Sequence, residues 1–302
     1  MLEPVILVQI LWTGIATSAP HVLITVGFAL GLKVTQLWNF AQAGFMTIAF
    51  YTMFMALNWL DLPIPVAVAM AVVTTVAASL ATEKWGLDVL RARQSGSLTF
   101  FIFTLILSEF VFYVTQLIFG TEPQTLFKSI LSPVQIVGGV AISDWDILGV
   151  AIMVIGLAAL WVFLGFTKEG QFMTAVSDNA KLAELYGISA KRAFRVAAAV
   201  SALFIVAAMY LVGSHGGVVP NSPMELILSA VIGTLLGGIG RVFAAAAASI
   251  FVALLQSYSI LVIASRWQNL LLYGFLFATI LLFPRGVRMP RLRRVRAAVA
   301  TQ

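Results

Sequence analysis

Few side chains in this sequence could do chemistry, and their types exclude most of it. Cysteine is absent and histidine occurs twice, at His21 and His215. Disulfides, thiolate metal sites and cysteine nucleophiles are therefore excluded, and a histidine-rich metal site lacks ligands. No nucleophile–base constellation stands out, no GxxxxGK[ST] loop offers a phosphate cradle, and neither an arginine row nor a TVGYG filter occurs. What remains is of another kind. Gln36, Asn39 and Gln42 form an amide patch flanked by Gly27, Gly31 and Gly44, while Gly233, Gly237, Gly238 and Gly240 crowd together ahead of an alanine run. His21 and Glu109 are ionisable groups inside apolar stretches. Amides, exposed backbone and isolated ionisable groups in apolar surroundings suit the passage of a polar solute better than bond-making.

The elements that must position these residues are apolar throughout. Of 302 residues, 61% are hydrophobic and 10% charged, against roughly 25% charged in a soluble domain. A water-soluble globule would lack polar surface to cover itself; lipid as solvent removes the difficulty. The fold class expected is an all-α polytopic membrane protein, a single domain over residues 1–302. A spanning helix needs about 20 mostly apolar residues. Nine segments qualify: 5–32, 36–58, 63–81, 98–119, 146–166, 194–213, 225–240, 242–264 and 268–284. The expectation is thus about 8–9 membrane segments, with discontinuous helices and inverted repeats. The first run is too long for a signal h-region and follows Glu3 rather than a basic stretch, so it is expected to stay in the membrane.

Charge orients the chain. Alternating the nine segments places the connections 82–97 and 167–195, the tail 285–302, Lys33 and Arg241 on one side, and only Lys128 and Arg266 on the other. Cytoplasmic loops carry the excess of Lys and Arg, so the N-terminus is expected outside the membrane and the C-terminus in the cytoplasm. The net charge of +6 is read as orientation rather than nucleic-acid binding. The basic cytoplasmic tail 285–302 reads as an anchor at anionic headgroups. The outer loop 120–145, with Pro123, Pro133 and Gly138-Gly139, reads as irregular with a short helix.

Two stretches carry most information. The cytoplasmic loop 167–193 is far longer than a minimal turn. Its middle reads as one short helix, capped by Ser177, Asp178 or Asn179 and stopped by Gly187. Met173, Val176, Ala180 and Ala183 give it an apolar face, broadened by Leu182, Leu185 and Tyr186. That face either docks into a cytoplasmic partner or packs on the membrane surface or the chain's own helix ends. The second stretch, Ser229–Ser249, admits two readings. Gly233 and Gly237 form a GxxxG packing pair, or a half-helix breaks at Gly237-Gly238-Ile239-Gly240 and lines a substrate path. The amide patch Gln36, Asn39, Gln42 is its counterpart in the first half. It must face protein or water, because lipid leaves polar groups unsatisfied.

Three motifs resemble the Liv-type permeases of bacterial branched-chain amino acid ABC importers, in particular the shorter permease subunit. Gly31-Leu32 leading to Trp38-Asn39-Phe40-Ala41-Gln42-Ala43-Gly44-Phe45 is similar to the family's "NFAHG-x-F" element, with Gln42 where His is usual and Ala43 inserted. Thr167 to Ile188 is similar to its cytoplasmic "T-x-x-G…RAV…A-x-x-x-G-I" loop through Gly170, Ala175-Val176, Ala183 and Gly187-Ile188, with Thr174 in place of Arg. Gly237-Gly238-Ile239-Gly240 is similar to its "GG-x-G" turn.

The resemblance implies a permease paired with a second homologous permease subunit, two cytoplasmic ATPase subunits and a periplasmic substrate-binding protein. Residues 171–188 would be the coupling helix, gripping an ATPase through Met173, Val176, Ala180, Leu182, Ala183, Leu185, Tyr186 and Gly187. The substrate path would run past Asn39, Gln42, Gly44, Gly237, Gly238 and Gly240. The chain itself would not be an enzyme and would hold no cofactor or metal; ATP and Mg would sit on the partner ATPases. The alternative is a self-contained secondary transporter or channel for amino acids, urea or short amides, which would need coupling-ion ligands; His21 and Glu109 are the only obvious ones.

Overall fold

Lipid offers the backbone no hydrogen bonds, so apolar stretches close their own as helices. The computed structural model describes residues 4–127 and 134–259, with isolated positions between 267 and 281. The chain runs α1 (Pro4–Thr35), α2 (Ala41–Asn58), α3 (Ile64–Ala81), a π-helical stretch (Thr82–Leu87), α4 (Asp88–Ala92), α5 (Ser97–Phe119), β1 (Val134–Val137), β2 (Val140–Ser143), α6 (Asp144–Phe166), α7 (Lys168–Asp178), α8 (Ala180–Leu185), α9 (Ala190–His215), α10 (Pro223–Gly237) and α11 (Val242–Ser259). The ninth candidate span lies largely outside the described residues, and Lys128, Arg266 and the tail 285–302 lie wholly outside them.

Among the described residues, six helical runs are long and apolar enough to cross a membrane: α1, α3 through α4, α5, α6, α9 and α11. Helix α10 is apolar but shorter, and α2, at 18 residues, falls outside that set. Length and hydropathy thus support six of the expected 8–9 segments among the described residues.

Helix α1 is the hub. It is apolar all round, as a helix enclosed by others must be, and 83% of its most apolar window is buried. It packs against α6, α7, α9, α10 and α11. One face carries small and polar residues: Gly14, His21 and Thr25 meet Leu254 and Ser257, Ser229, and Ser249 respectively. Small residues let helices approach closely, and a Cβ on Gly233 would lie 2.9 Å from Thr25 Cγ2. These pairings run upward along α10 and downward along α11, so α10 is parallel to α1 and α11 antiparallel. Helix α2 packs on α3, α5, α9 and α10. By contrast α3, α5 and α6 are peripheral, with 22%, 28% and 17% of their apolar windows buried.

The bundle has two different ends. At one, the start of α1 meets the β1–β2 hairpin: the Gln9 amide donates to Ala141 O (3.1 Å) and accepts from Ala141 N–H (2.7 Å). Residues Gln124 and Val218 pair there as an isolated bridge. The other end holds the tip of α1, the turn into α2, the α10–α11 turn, α7 and α8. Every lysine and arginine among the described residues belongs to this second end.

Three expectations need correction. Loop 120–145, expected to be irregular, contains a β-hairpin among its described residues: Gly138 (φ 62°) and Gly139 (φ 86°) take the two left-handed positions of a type I′ turn. The connection 82–97 is mostly helix. Arg91 pairs with Glu83 and Asp88, and those pairings let the charged segment continue the helix to Ala92. The loop 167–193 folds as two helices, not one.

Candidate functional site

Thr167 and Gly170 explain why the chain doubles back after α6. The Thr167 hydroxyl accepts the Gly170 N–H at 3.1 Å and caps α7. Gly170 is pressed on the last turn of α6: a Cβ there would overlap Phe163 O and come within 2.6 Å of Leu164 Cα. Helix α7 then buries Met173 and Val176 against the bundle and touches α1, α6 and α9. An ion pair from Arg192 to Glu169 ties it to α9.

Asn179 ends α7 and caps α8, its side-chain oxygen accepting the Leu182 N–H at 3.0 Å. Gly187 (φ 80°) stops α8, where a Cβ-bearing residue would be strained. The apolar face expected for this loop is therefore divided. Met173, Val176 and Ala183 are buried in the chain's own packing and Ala180 is half-buried. Leu182, Leu185 and Tyr186 stand free, with Leu185 84% and Tyr186 79% exposed. Two large apolar side chains on this six-residue helix and a third at its C-cap form a patch of the kind that marks a partner surface.

The two interrupted segments lie at the same end of the bundle as this helix pair. At the first, Gln36 takes φ 58° and closes α1 with its own amide on Lys33 O. The Asn39 side chain accepts the Ala41 N–H (3.1 Å) and starts α2, and the Phe40 N–H reaches Thr104 Oγ1 (3.3 Å) on α5. Gln42 is buried where α1, α2 and α9 meet. A Cβ on Gly31 would lie 3.1 Å from its Nε2 and 3.6 Å from Ser201 Oγ. Its Oε1 is buried without a partner. Gly44 serves the α2–α5 contact, where a Cβ would lie 3.1 Å from Ser108 Cα.

At the second, Gly237 sits against the first turn of α11, where a Cβ would overlap the Ala245 backbone. Gly238 (φ 89°) and Gly240 (φ 87°) make the turn. The parallel course of α10 along α1 brings this turn to the end where α1 stops. The six residues expected on a substrate path thus fall on two turns and on the start of α2, all at one end of α1. Asn39, Gly44 and the three glycines of the second turn are used by local folding, and of the six only Gln42 has a buried polar atom without a partner. Gly238→Ala is expected to cost about 1–3 kcal/mol, the price of left-handed backbone in a residue with a Cβ. The check is a fall of several degrees in the unfolding temperature of the detergent-solubilised chain, with Gly165→Ala, which meets open space, unchanged.

His21 and Glu109 share no site. His21 Nδ1 lies 3.2 Å from Ser229 Oγ, which also bonds Leu226 O. Glu109 is on the outer, exposed side of α5. The sequence reading also passed over Thr25, Ser201 and Ser249, whose signal is a polar or small residue recurring on one face of an apolar helix.

A polytopic helical membrane protein with a hub helix, two glycine- and amide-bearing turns, and an exposed apolar helix at its basic end is thereby defined. The chain belongs to the family described as branched-chain amino acid transport system / permease component, which it matches over residues 10–281; it is a transport component, not an enzyme. It is similar to the high-affinity branched-chain amino acid transport system permease protein LivH of Salmonella typhimurium, 21% identical over 291 residues that cover 92% of this chain and 94% of the relative. LivH of Escherichia coli K12 is similar to the same extent. No solved structure matches.

Proposed function

We propose that the chain is a transmembrane permease subunit of an ATP-driven importer for branched-chain or related amino acids. The observation that carries this is the exposed Leu182, Leu185 and Tyr186 patch at the basic end of a chain from a permease family that has no phosphate-binding loop. Basic ends face the cytoplasm, so α7 and α8 stand where cytoplasmic ATPases would meet them. The hairpin end, with Asp61, Glu122, Asp144, Asp146 and Glu225, faces the periplasm and a substrate-binding protein. The six long runs, α2, α10 and segment 268–284 together make nine segments, with the N-terminus periplasmic and the C-terminus cytoplasmic.

Movement has a continuous mechanical route. An ATPase pulling α8 pulls α7, because a single residue, Asn179, joins them. Gly170, Met173 and Val176 seat α7 on α6 and α1, at the end of the bundle that holds both turns. The ionic group of Arg91, Glu83, Asp88 and Arg195 links α4 to α9, and Arg192 with Glu169 links α9 to α7. Inverted repeats would exchange the two ends; because the two turns share an end, such a repeat would pair other helices. His21 and Glu109 lie apart, which disfavours a coupled-ion site and with it the secondary-transporter reading.

Leucine uptake into proteoliposomes tests the proposal. Accumulation is expected only with the second permease subunit, the ATPases, the binding protein and ATP with Mg together. Uptake by this chain alone without ATP would replace the proposal with a self-contained transporter. Ligand titration of the binding protein identifies the substrate among branched-chain amino acids, other amino acids, urea and amides.

A further inference from the structure

Glu109 is the tenth or more residue from either end of the 23-residue helix α5. It is exposed on the outside of the bundle and, among the described residues, has no hydrogen-bond or ion-pair partner. The opposite face of α5 is spoken for: Thr104, Ser108, Phe112 and Thr115 are buried, and α2 packs there through Gly44. The outward stripe reads Ile102, Ile106, Glu109, Tyr113 and Leu117, at spacings of three and four residues, all exposed. Three-and-four spacing is the seam along which one helix packs on another.

Lipid does not suit this face. A carboxylate at mid-span facing hydrocarbon is costly, and such groups face protein or a water-filled cavity. The contrast with α6 is direct. Its outer face presents Val154, Ile155, Trp161, Val162 and Phe166. An apolar groove of about 540 Å³ runs between it and α9, lined by Ile152, Ile155, Gly156, Leu203 and Ala207 among others. That surface needs nothing but acyl chains. The α5 surface needs a donor. It also adjoins the first turn, since Thr104 on α5 holds the Phe40 N–H.

We infer that the Glu109 stripe of α5 is the seam with a second permease subunit, which supplies a hydrogen-bond donor or a cation to the Glu109 carboxylate. The inference rests on the permease reading and adds the face and the chemistry of the partner.

The test uses the full chain in native membranes of cells that make the whole transport system. A photo-crosslinking benzoyl-phenylalanine replaces Tyr113 in one variant and Ile155, on the α6 face, in another. Adducts are identified by peptide mass spectrometry. The 113 variant is expected to capture a second, homologous member of its family, and the 155 variant is not; capture of another copy of this chain in its place would overturn the seam. In parallel, Glu109→Lys is expected to lower co-purification of that permease at least tenfold, whereas Glu109→Gln, which still accepts a hydrogen bond, keeps most of it. Lipid adducts alone from position 113, permease adducts from 155 instead, or full co-purification with Glu109→Lys would each overturn the seam. None of those results touches the requirement for ATP in uptake, so the seam and the importer reading fail separately.

Discussion

Replacing Leu185 and Tyr186 together with aspartate is expected to abolish ATP-dependent uptake and release the ATPases, while the chain still inserts and accumulates. Both side chains are almost fully exposed, at 84% and 79%, so the substitution removes nothing from the chain's own packing. Exposed surface changes away from structural features usually stay within about 0.5 kcal/mol of neutral. In a complex the same side chains would be central anchors. Truncating an anchor costs about 2 kcal/mol or more, and every 1.4 kcal/mol is about tenfold in affinity. Two buried aspartates add the penalty of desolvating charge against an apolar socket. A loss of association of at least about a hundredfold follows. It is read by co-purification of the ATPases and by leucine uptake, with Met173 and Val176 left untouched as the buried half of the loop. Retention of both association and uptake would mean that α8 is not the grip.

Gly170→Val carries the second largest effect, and for a different reason. Any Cβ at Gly170 would overlap Phe163 O and crowd Leu164 Cα, and both are backbone atoms that cannot rotate away. Overpacking typically costs about 1–3 kcal/mol, and more where nothing can yield. Helix α7 must lift from the end of α6, which carries Met173 and Val176 out of their seats and displaces α8. The expected result is loss of uptake and of ATPase association in a chain that still inserts, since α1, α6 and α9 keep their apolar faces. Gly165→Ala, five residues earlier and facing open space, is expected to behave as wild type in the same assays.

These two substitutions separate what was legible in the residues from what was not. Hydrocarbon as solvent leaves one choice of backbone, so the helical class and most helix positions follow from apolar length alone. Gly187 as a left-handed stop and the turn at Gly238 and Gly240 were legible because few other residues tolerate such φ. The hairpin is less legible because Gly138-Gly139 also suits an irregular loop, although two adjacent left-handed glycines between β-branched residues are a hairpin signal. The continuation of helix through Thr82–Leu87 was hidden by charge, which only the Arg91 pairing with Glu83 and Asp88 neutralises.

The loop 167–193 shows the same limit within one site. Periodicity grouped Met173, Val176, Ala180, Ala183, Leu182, Leu185 and Tyr186 as one face and left partner docking and self-packing both open. Asn179 divides the segment, and each half takes one of the two roles: burial for Met173, Val176 and Ala183, exposure for Leu182, Leu185 and Tyr186. Which side of a helix meets the bundle depends on neighbours distant in the chain, here α1 and α9. For the same reason Gly44 and Gly237 could not be told apart as packing or path residues until α5 and α11 were seen against them.

The central claim is that α8 lies in the cytoplasm under an ATPase. The chain has no cysteine, so Leu185→Cys provides a single thiol for a membrane-impermeant maleimide. The account predicts labelling in inverted vesicles stripped of ATPases, little labelling in right-side-out vesicles, and protection when the ATPases are added back. Labelling from the periplasmic side, or labelling that the ATPases leave unchanged, would contradict it.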